Sequence, residues 1–238
     1  MAKKHKSSKH VVRHKQAKKH HVEHVKHIQK PVVQRMDEEK AFNLLAKYKI
    51  PLAPHAFAKN EKELVMAIKK IGLPCHMKAS GPTVIHRTEI GGVQIAHNTE
   101  EALSNFKRLM KLHGTEKILI QKSMAGEEMI IGLKSDPTFG AVVSAGLGGI
   151  YVEVLKDVTF RICPITVSDA ESMINELKGV EILKGARTGR AVNLNAIYDV
   201  LVKLSKIGNK ENISELDINP LFCDEKGCHA VDARIINK

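Results

Sequence analysis

Polar and apolar residues alternate through Glu215-Leu216-Asp217-Ile218-Asn219-Pro220-Leu221-Phe222 and again through His229-Ala230-Val231-Asp232-Ala233-Arg234. Such alternation predicts half-buried strands. Asp224-Glu225-Lys226-Gly227 between them is turn chemistry, so the two runs form a hairpin. With a four-residue loop, Cys223 faces Cys228, Asn219 faces Asp232 and Asp217 faces Arg234. Period-two geometry puts these side chains on one face, with Leu216, Ile218, Phe222, Val231, Ala233 and Ile235 turned into a core. Pro220 has no N–H and is the place where the strand can bulge.

The rest of the folded chain mixes both periods. Asp37 caps a helix carrying Ala41, Leu44, Leu45 and Tyr48, stopped by Pro51 and Pro54. Asn60 with Glu63 opens a second helix, which runs to Gly72, and Asn98 with Glu101 a third, which ends at Gly114. Residues 74–78, 92–97 and 117–121 read as short strands. Residues 129–133 and 141–145 are strands joined by the turn Ser135-Asp136-Pro137-Thr138-Phe139-Gly140. Ser168 with Glu171 caps a further helix, and residues 195–207 are amphipathic through Ile197, Val200, Leu201 and Leu204. This order predicts an α/β or α+β fold. Gln121 to Gly126 leaves a strand for a glycine-bounded loop and is a natural hinge. The expected organisation is a tail over 1–34, one lobe over 35–116 and a second over 117–238.

Charge changes the picture at one end only. The chain has 238 residues and a formal charge of +12. Residues 1–30 hold ten Lys or Arg against one acid, a balance of +9, and seven of the thirteen histidines. The basic character therefore belongs mostly to a tail, too polar to build a core and expected to be disordered or locally helical. Contact with an anionic partner (RNA, a membrane surface or an acidic protein), metal chelation and plain solubility are its open readings. Four cysteines without a paired CxxC pattern argue against a zinc site. No apolar run reaches a membrane span, and no secretory h-region follows the basic start, so the expectation is a cytoplasmic protein with reduced thiols.

Three clusters carry chemistry. In the hairpin, Asn219 opposite Asp232 beside an ion pair forms either a hard-oxygen cradle suited to Mg²⁺ or the polar outer face of an ordinary hairpin. The second runs from Lys78 through His86-Arg87 to Gly91-Gly92. A lysine at a strand end is a point cation for phosphate oxygens, and the glycines let backbone N–H groups approach an anion. His86 between them is either a phosphoryl acceptor or a hydrogen-bonded surface histidine. The third is Gly146-Leu147-Gly148-Gly149, which departs from dinucleotide-fingerprint spacing and precedes Glu153 and Arg161, candidate contacts to a phosphoryl group or a partner. Glu128, past the hinge, suits a ribose hydroxyl or metal-bound water, or is a solvated strand edge.

These clusters, in this order, resemble the ATP-grasp family, in particular the β subunits of archaeal ADP-forming acetyl-CoA synthetases, relatives of succinyl-CoA synthetase. The resemblance runs from about Met36 to Ile236. It is carried by Ile85-His86-Arg87-Thr88-Glu89-x-Gly91-Gly92-Val93, Gly146 to Glu153, Glu215 to Leu221, and Val231-Asp232-Ala233-Arg234. It implies a two-lobed ATP-grasp fold that clamps ATP or ADP with Mg²⁺ between two sheets. Lys78, Gly91, Gly92, Gly148, Gly149 and Arg234 are then nucleotide contacts, Gln121, Lys122 and Met124 flank the adenine, and Glu128 lies near the nucleotide. Asn219 and Asp232 hold the metal, and His86 and Glu153 are catalytic. The implied reaction converts acyl-CoA, ADP and phosphate reversibly into a carboxylate, CoA and ATP. It uses an α subunit with a CoA-binding domain in an α₂β₂ assembly, and His86 receives the phosphoryl group before ADP does. The family usually has Ser before the proline after the lysine, where this chain has Gly81. Another ATP-grasp ligase without the histidine relay, and a non-catalytic binding protein with a decayed core, are the alternatives.

Overall fold

The structure, a computed structural model, describes residues 35–84, 87–149, 157–186 and 188–238. The tail expected over 1–34 lies outside the described residues. Two antiparallel sheets organise the rest. The chain opens with α1 (Glu38–Lys47), whose N-cap Asp37 accepts from the N–H groups of Glu39 and Lys40. It continues through β1 (His55–Ala58), α2 (Glu61–Ile71), β2 (Cys75–Ser80), β3 (Val93–Ala96), α3 (Thr99–Met110) and β4 (Lys117–Lys122). These strands form a four-stranded sheet in the order β1-β4-β2-β3. Asn60 and Asn98 cap α2 and α3 as their spacing predicts. β1 follows two prolines and had no distinct pattern of its own.

The second sheet contains β5 (Glu127–Asp136), β6 (Gly140–Leu147), β7 (Val158–Ile162), β8 (Ile213–Cys223) and β10 (Ala233–Asn237), with β9 (Cys228–Ala230) paired to β8. α4 (Val167–Asn175), α5 (Val180–Leu183) and α6 (Leu194–Lys210) come between β7 and β8. α4 starts earlier than predicted. Thr166 and Asp169 complete a reciprocal capping box, so the Ser168–Glu171 pair lies inside the helix. α6 buries Ile197, Val200, Leu201, Leu204 and Ile207 to 1 % exposure or less. Each such side chain contributes about 1.5–3 kcal/mol, so packing rather than intrinsic propensity holds this helix.

The hairpin register agrees with the spacing at both ends. Cys223 pairs with Cys228 and Asp217 with Arg234. The shared-face expectation does not hold across the whole hairpin. Leu216 and Ile218 are buried as predicted, but so are Leu221, Cys223 and Cys228, while Phe222 is only half-buried. The cause is a bulge. Against β5, Met129 pairs with Leu221 and Ile131 with Ile218, so β8 spends one extra residue around Asn219 and Pro220. One inserted residue exchanges the two faces of a strand. The cysteines therefore sit in the core as free thiols with their sulfurs 2.8 Å apart, and Asn219 faces out.

The chain visits the sheets in an interleaved order. Ala41, Phe42 and Leu45 of α1 pack into the core of the six-stranded sheet, whereas β4 is an inner strand of the other sheet. Relative to a division at 116/117, α1 thus lies with the later strands and β4 with the earlier ones. Ala53 N–H bonds Ala230 O and Lys122 N–H bonds Pro54 O, both at 2.9 Å, so the chain enters and leaves the four-stranded sheet side by side.

Candidate active site

A cleft of about 900 Å³ lies between the sheets, with Lys78 and Val93 on one wall and Asp217, Asn219, Asp232 and Arg234 on the other. Lys78 on β2 and Gln121 on β4 are diagonal neighbours in an antiparallel ladder that pairs Lys78 with Leu119 and His76 with Gln121. Their side chains therefore meet: Lys78 Nζ donates to Gln121 Oε1 at 2.9 Å and to Val231 O at 3.2 Å. Lys78 is 8 % exposed and Gln121 1 %. Burial pulls the Lys78 pKa down and Arg87 adds to that, against the opposing carboxylates of Asp232 and Glu38. Gln121 Nε2 is buried without a partner. A buried orphan donor is costly in a closed interior, and beside a polar cleft it suits a ligand acceptor.

On the opposite wall, the β8 bulge puts Asn219 and Asp232 at a gap in the ladder, between the Leu221–Ala230 and Ile218–Ala233 pairs. Arg87 Nη2 donates to both Asp232 oxygens at 3.2 and 3.1 Å. Burial, with Glu215 and Asp232 nearby, raises the Asp217 pKa, and Arg234 opposes the rise. Asp217, Asn219 and Asp232 line the same cleft, and among the described residues no three acidic, His or Cys side chains cluster as a metal centre. What fits Mg²⁺ is therefore a hard-oxygen pair, the Asn219 amide oxygen and the Asp232 carboxylate, completed by oxygens of the nucleotide and water. The residues present thus fit both a metal and an anionic nucleotide.

The other sequence candidates fall in different places. Gly91 and Gly92 close the turn after Arg87: Gly92 N–H bonds Arg87 O at 2.6 Å, and Ala79 N–H bonds Gly92 O at 2.8 Å. Glu128, Gly148 and Gly149 meet one another away from the cleft walls, with Gly148 N–H on Glu128 O at 2.6 Å. Lys122, the last residue of β4, is exposed, Met124 is half-buried in the segment that follows, and neither lines the cleft. His86 and Glu153 lie outside the described residues. Arg161 is not drawn to the cleft, because it pairs with Glu176 on the surface.

A Cβ at Gly148 would lie 2.8 Å from Glu128 Cβ and 2.9 Å from its carbonyl, too close to be absorbed without moving backbone. Gly148→Ala is expected to cost about 1–3 kcal/mol of stability, read as a lower thermal midpoint.

The sequence reading missed the role of Glu38. Arg87 Nη1 donates to both its oxygens, at 2.9 and 3.1 Å, across 49 positions of chain. Nothing in local spacing links an acid in the first turn of a helix to an arginine so far along; only its burial sets it apart.

With this geometry, the comparisons with known proteins are specific. The family model of the ATP-grasp domain matches residues 18–236. The chain belongs to the ATP-grasp family. It is 42 % identical over 209 residues to the acetate–CoA ligase (ADP-forming) I subunit β of Pyrococcus furiosus, covering 84 % of this chain and 90 % of that one. It is 40 % identical over 201 residues to the acetate–CoA ligase (ADP-forming) II of Archaeoglobus fulgidus, covering 84 % of this chain but only 30 % of that longer protein. Among solved structures it is similar to an acetyl-coenzyme A synthetase 1 of Ca. Korarchaeum cryptofilum in complex with coenzyme A, Ca-AMPCP and HgCl⁺. The TM-score is 0.82 and the identity 37 %, over 86 % of this chain and 94 % of that one. Among the described residues, no helix is long and apolar enough to cross a membrane.

Proposed function

We propose that this chain is the nucleotide-binding β subunit of an ADP-forming acyl-CoA synthetase, with acetyl-CoA as the reference substrate. The observation that carries the reading is the cleft itself. Lys78 with a half-satisfied Gln121 stands on one sheet, and Asn219 with Asp232 on the other, in a chain that spans 90 % of a relative named as such a subunit.

In this reading Lys78 and the N–H groups around Gly91 and Gly92 meet phosphate oxygens, and Gln121, Lys122 and Met124 border the adenine. Asn219 and Asp232 hold Mg²⁺, which when bound offsets the charge of the transferring phosphoryl group. The division of labour follows from the reaction. Acyl-CoA and phosphate give acyl phosphate and CoA on an α subunit. The phosphoryl group leaves the carboxylate for a histidine, passes to His86 nitrogen and then to an ADP β-phosphate oxygen, and His86 is restored. We assign the CoA site to that partner in an α₂β₂ assembly, the location to the cytoplasm and the basic tail to an anionic partner.

The test combines the purified chain with an α subunit, acetyl-CoA, ADP, phosphate and Mg²⁺, and measures ATP. ATP synthesis that requires both chains supports the reading. Failure of the chain to bind ADP or ATP with Mg²⁺ overturns it.

A further inference from the structure

The carboxylate of Asp232 already has a cation. The Arg87 guanidinium is engaged on two edges at once, by Glu38 through Nη1 and by Asp232 through Nη2. The two ends differ in their access to water. The side chains of Arg87 and Glu38 are 10 % and 5 % exposed, whereas that of Asp232 is 30 % exposed and borders the cleft. A guanidinium fixed by a buried carboxylate keeps its place, and a bond that opens on a cleft can exchange. Arg87 bridges the two carboxylates and Lys78 stands near both as a second cation, while Asn219 and Asp217 line the same wall as Asp232.

Resting on the reading of Asn219 and Asp232 as the metal pair, we infer that Arg87 is a positioning residue that stands in for the divalent cation. It satisfies Asp232 until metal and nucleotide arrive. Asp232 then turns to the metal, while Glu38 holds Arg87 where its freed edge faces phosphate oxygens. Metal alone must compete with Arg87 for Asp232 and gives the arginine nothing in return. Metal with nucleotide supplies both a cation for Asp232 and an anion for Arg87. The arrangement makes the two ligands mutually dependent, and dependence of this kind is reciprocal.

The inference gives opposite signs for two ligands. In Arg87→Gln, Mn²⁺ alone is expected to bind about tenfold tighter, since its competitor is gone, and metal-free ADP about tenfold weaker, since a cation is lost. In Glu38→Gln, Arg87 is left to Asp232 alone, and Mn²⁺ is expected to bind several-fold weaker. The full-length chain is titrated with MnCl₂ by electron paramagnetic resonance, and with ADP in EDTA by calorimetry. The double variant Glu38→Gln/Arg87→Gln removes both charges while keeping amides in contact. It carries the Arg87 test if the single variant does not fold, with the same expected directions. Weakening of both ligands in Arg87→Gln, or unchanged Mn²⁺ affinity, reduces Arg87 to a structural bridge and overturns the inference. An Asp232→Asn variant that keeps wild-type Mn²⁺ binding removes the metal pair and the inference with it. Wild-type Mn²⁺–ADP binding lost in Asp232→Asn, with no response to the Arg87 or Glu38 changes, leaves the functional reading standing and sinks the inference alone.

Discussion

Alanine at His86 is expected to abolish acyl-CoA-dependent ATP synthesis while leaving ADP binding within about twofold of wild type. The argument is chemical. In the proposed reaction the acyl phosphate arises on the α subunit, and its high-energy phosphoryl group must cross to the nucleotide without meeting water. A neutral imidazole nitrogen can take it, hold it as a phosphoramidate of high transfer potential and return it. Removing an obligatory nucleophile costs several orders of magnitude in turnover. The measurement is phosphotransfer from γ-labelled ATP in the presence of an α subunit. Acid-labile, base-stable label on this chain should vanish in His86→Ala. Turnover that survives the substitution would move the chain to an ATP-grasp ligase with direct transfer.

Lys78→Met is expected to weaken ADP and ATP by about 2–3 kcal/mol, or about 30- to 150-fold, without lowering the thermal midpoint. The two halves have different causes. Lys78 is buried and its pKa is pulled down, so its charge is held at a desolvation cost. A methionine of similar length avoids that cost but leaves Gln121 Oε1 and Val231 O without their donor, and the two changes roughly offset. The nucleotide has no such compensation, because a charge-assisted contact to phosphate is lost. Calorimetry with ADP and a thermal melt separate the effects. Wild-type affinity in the variant would take Lys78 out of the nucleotide site.

Much of this was legible in the chain. Caps at Asp37, Asn60 and Asn98, the helical stripe through Ile197 to Leu204 and the hairpin register all follow from local rules, because each is decided within a few residues. Legibility stopped where a decision was tertiary. The exchange of faces at Asn219–Pro220 depends on β5 pairing with β8 from ninety positions away, so alternation alone placed Cys223 and Cys228 on the wrong side. β7 carries exposed Phe160 and Ile162 at the sheet edge and gave no clear amphipathic signal. Glu38 looks like any first-turn acid until the fold brings Arg87 to it. The resemblance proposed which polar residues belong to one site; Lys78, Asn219, Asp232 and Arg234 share the cleft, while Lys122, Met124, Glu128, Gly148 and Gly149 stand apart from its lining.

The side-by-side crossings at Pro54 and Lys122 have a mechanical meaning. His55 pairs with Gln121 at the same point, so the four-stranded sheet is an insertion tethered through two adjacent strand ends. Such a tether defines an axis. Rotation about it changes the gap between Lys78 and Asn219 while keeping the pairings within each sheet, and must break the bonds that cross the cleft, Arg87 to Asp232 and Lys78 to Val231 O. The same adjacency sets the ends of the segment 54–122 side by side, while Leu119 and Phe57 key that segment into the core of the six-stranded sheet.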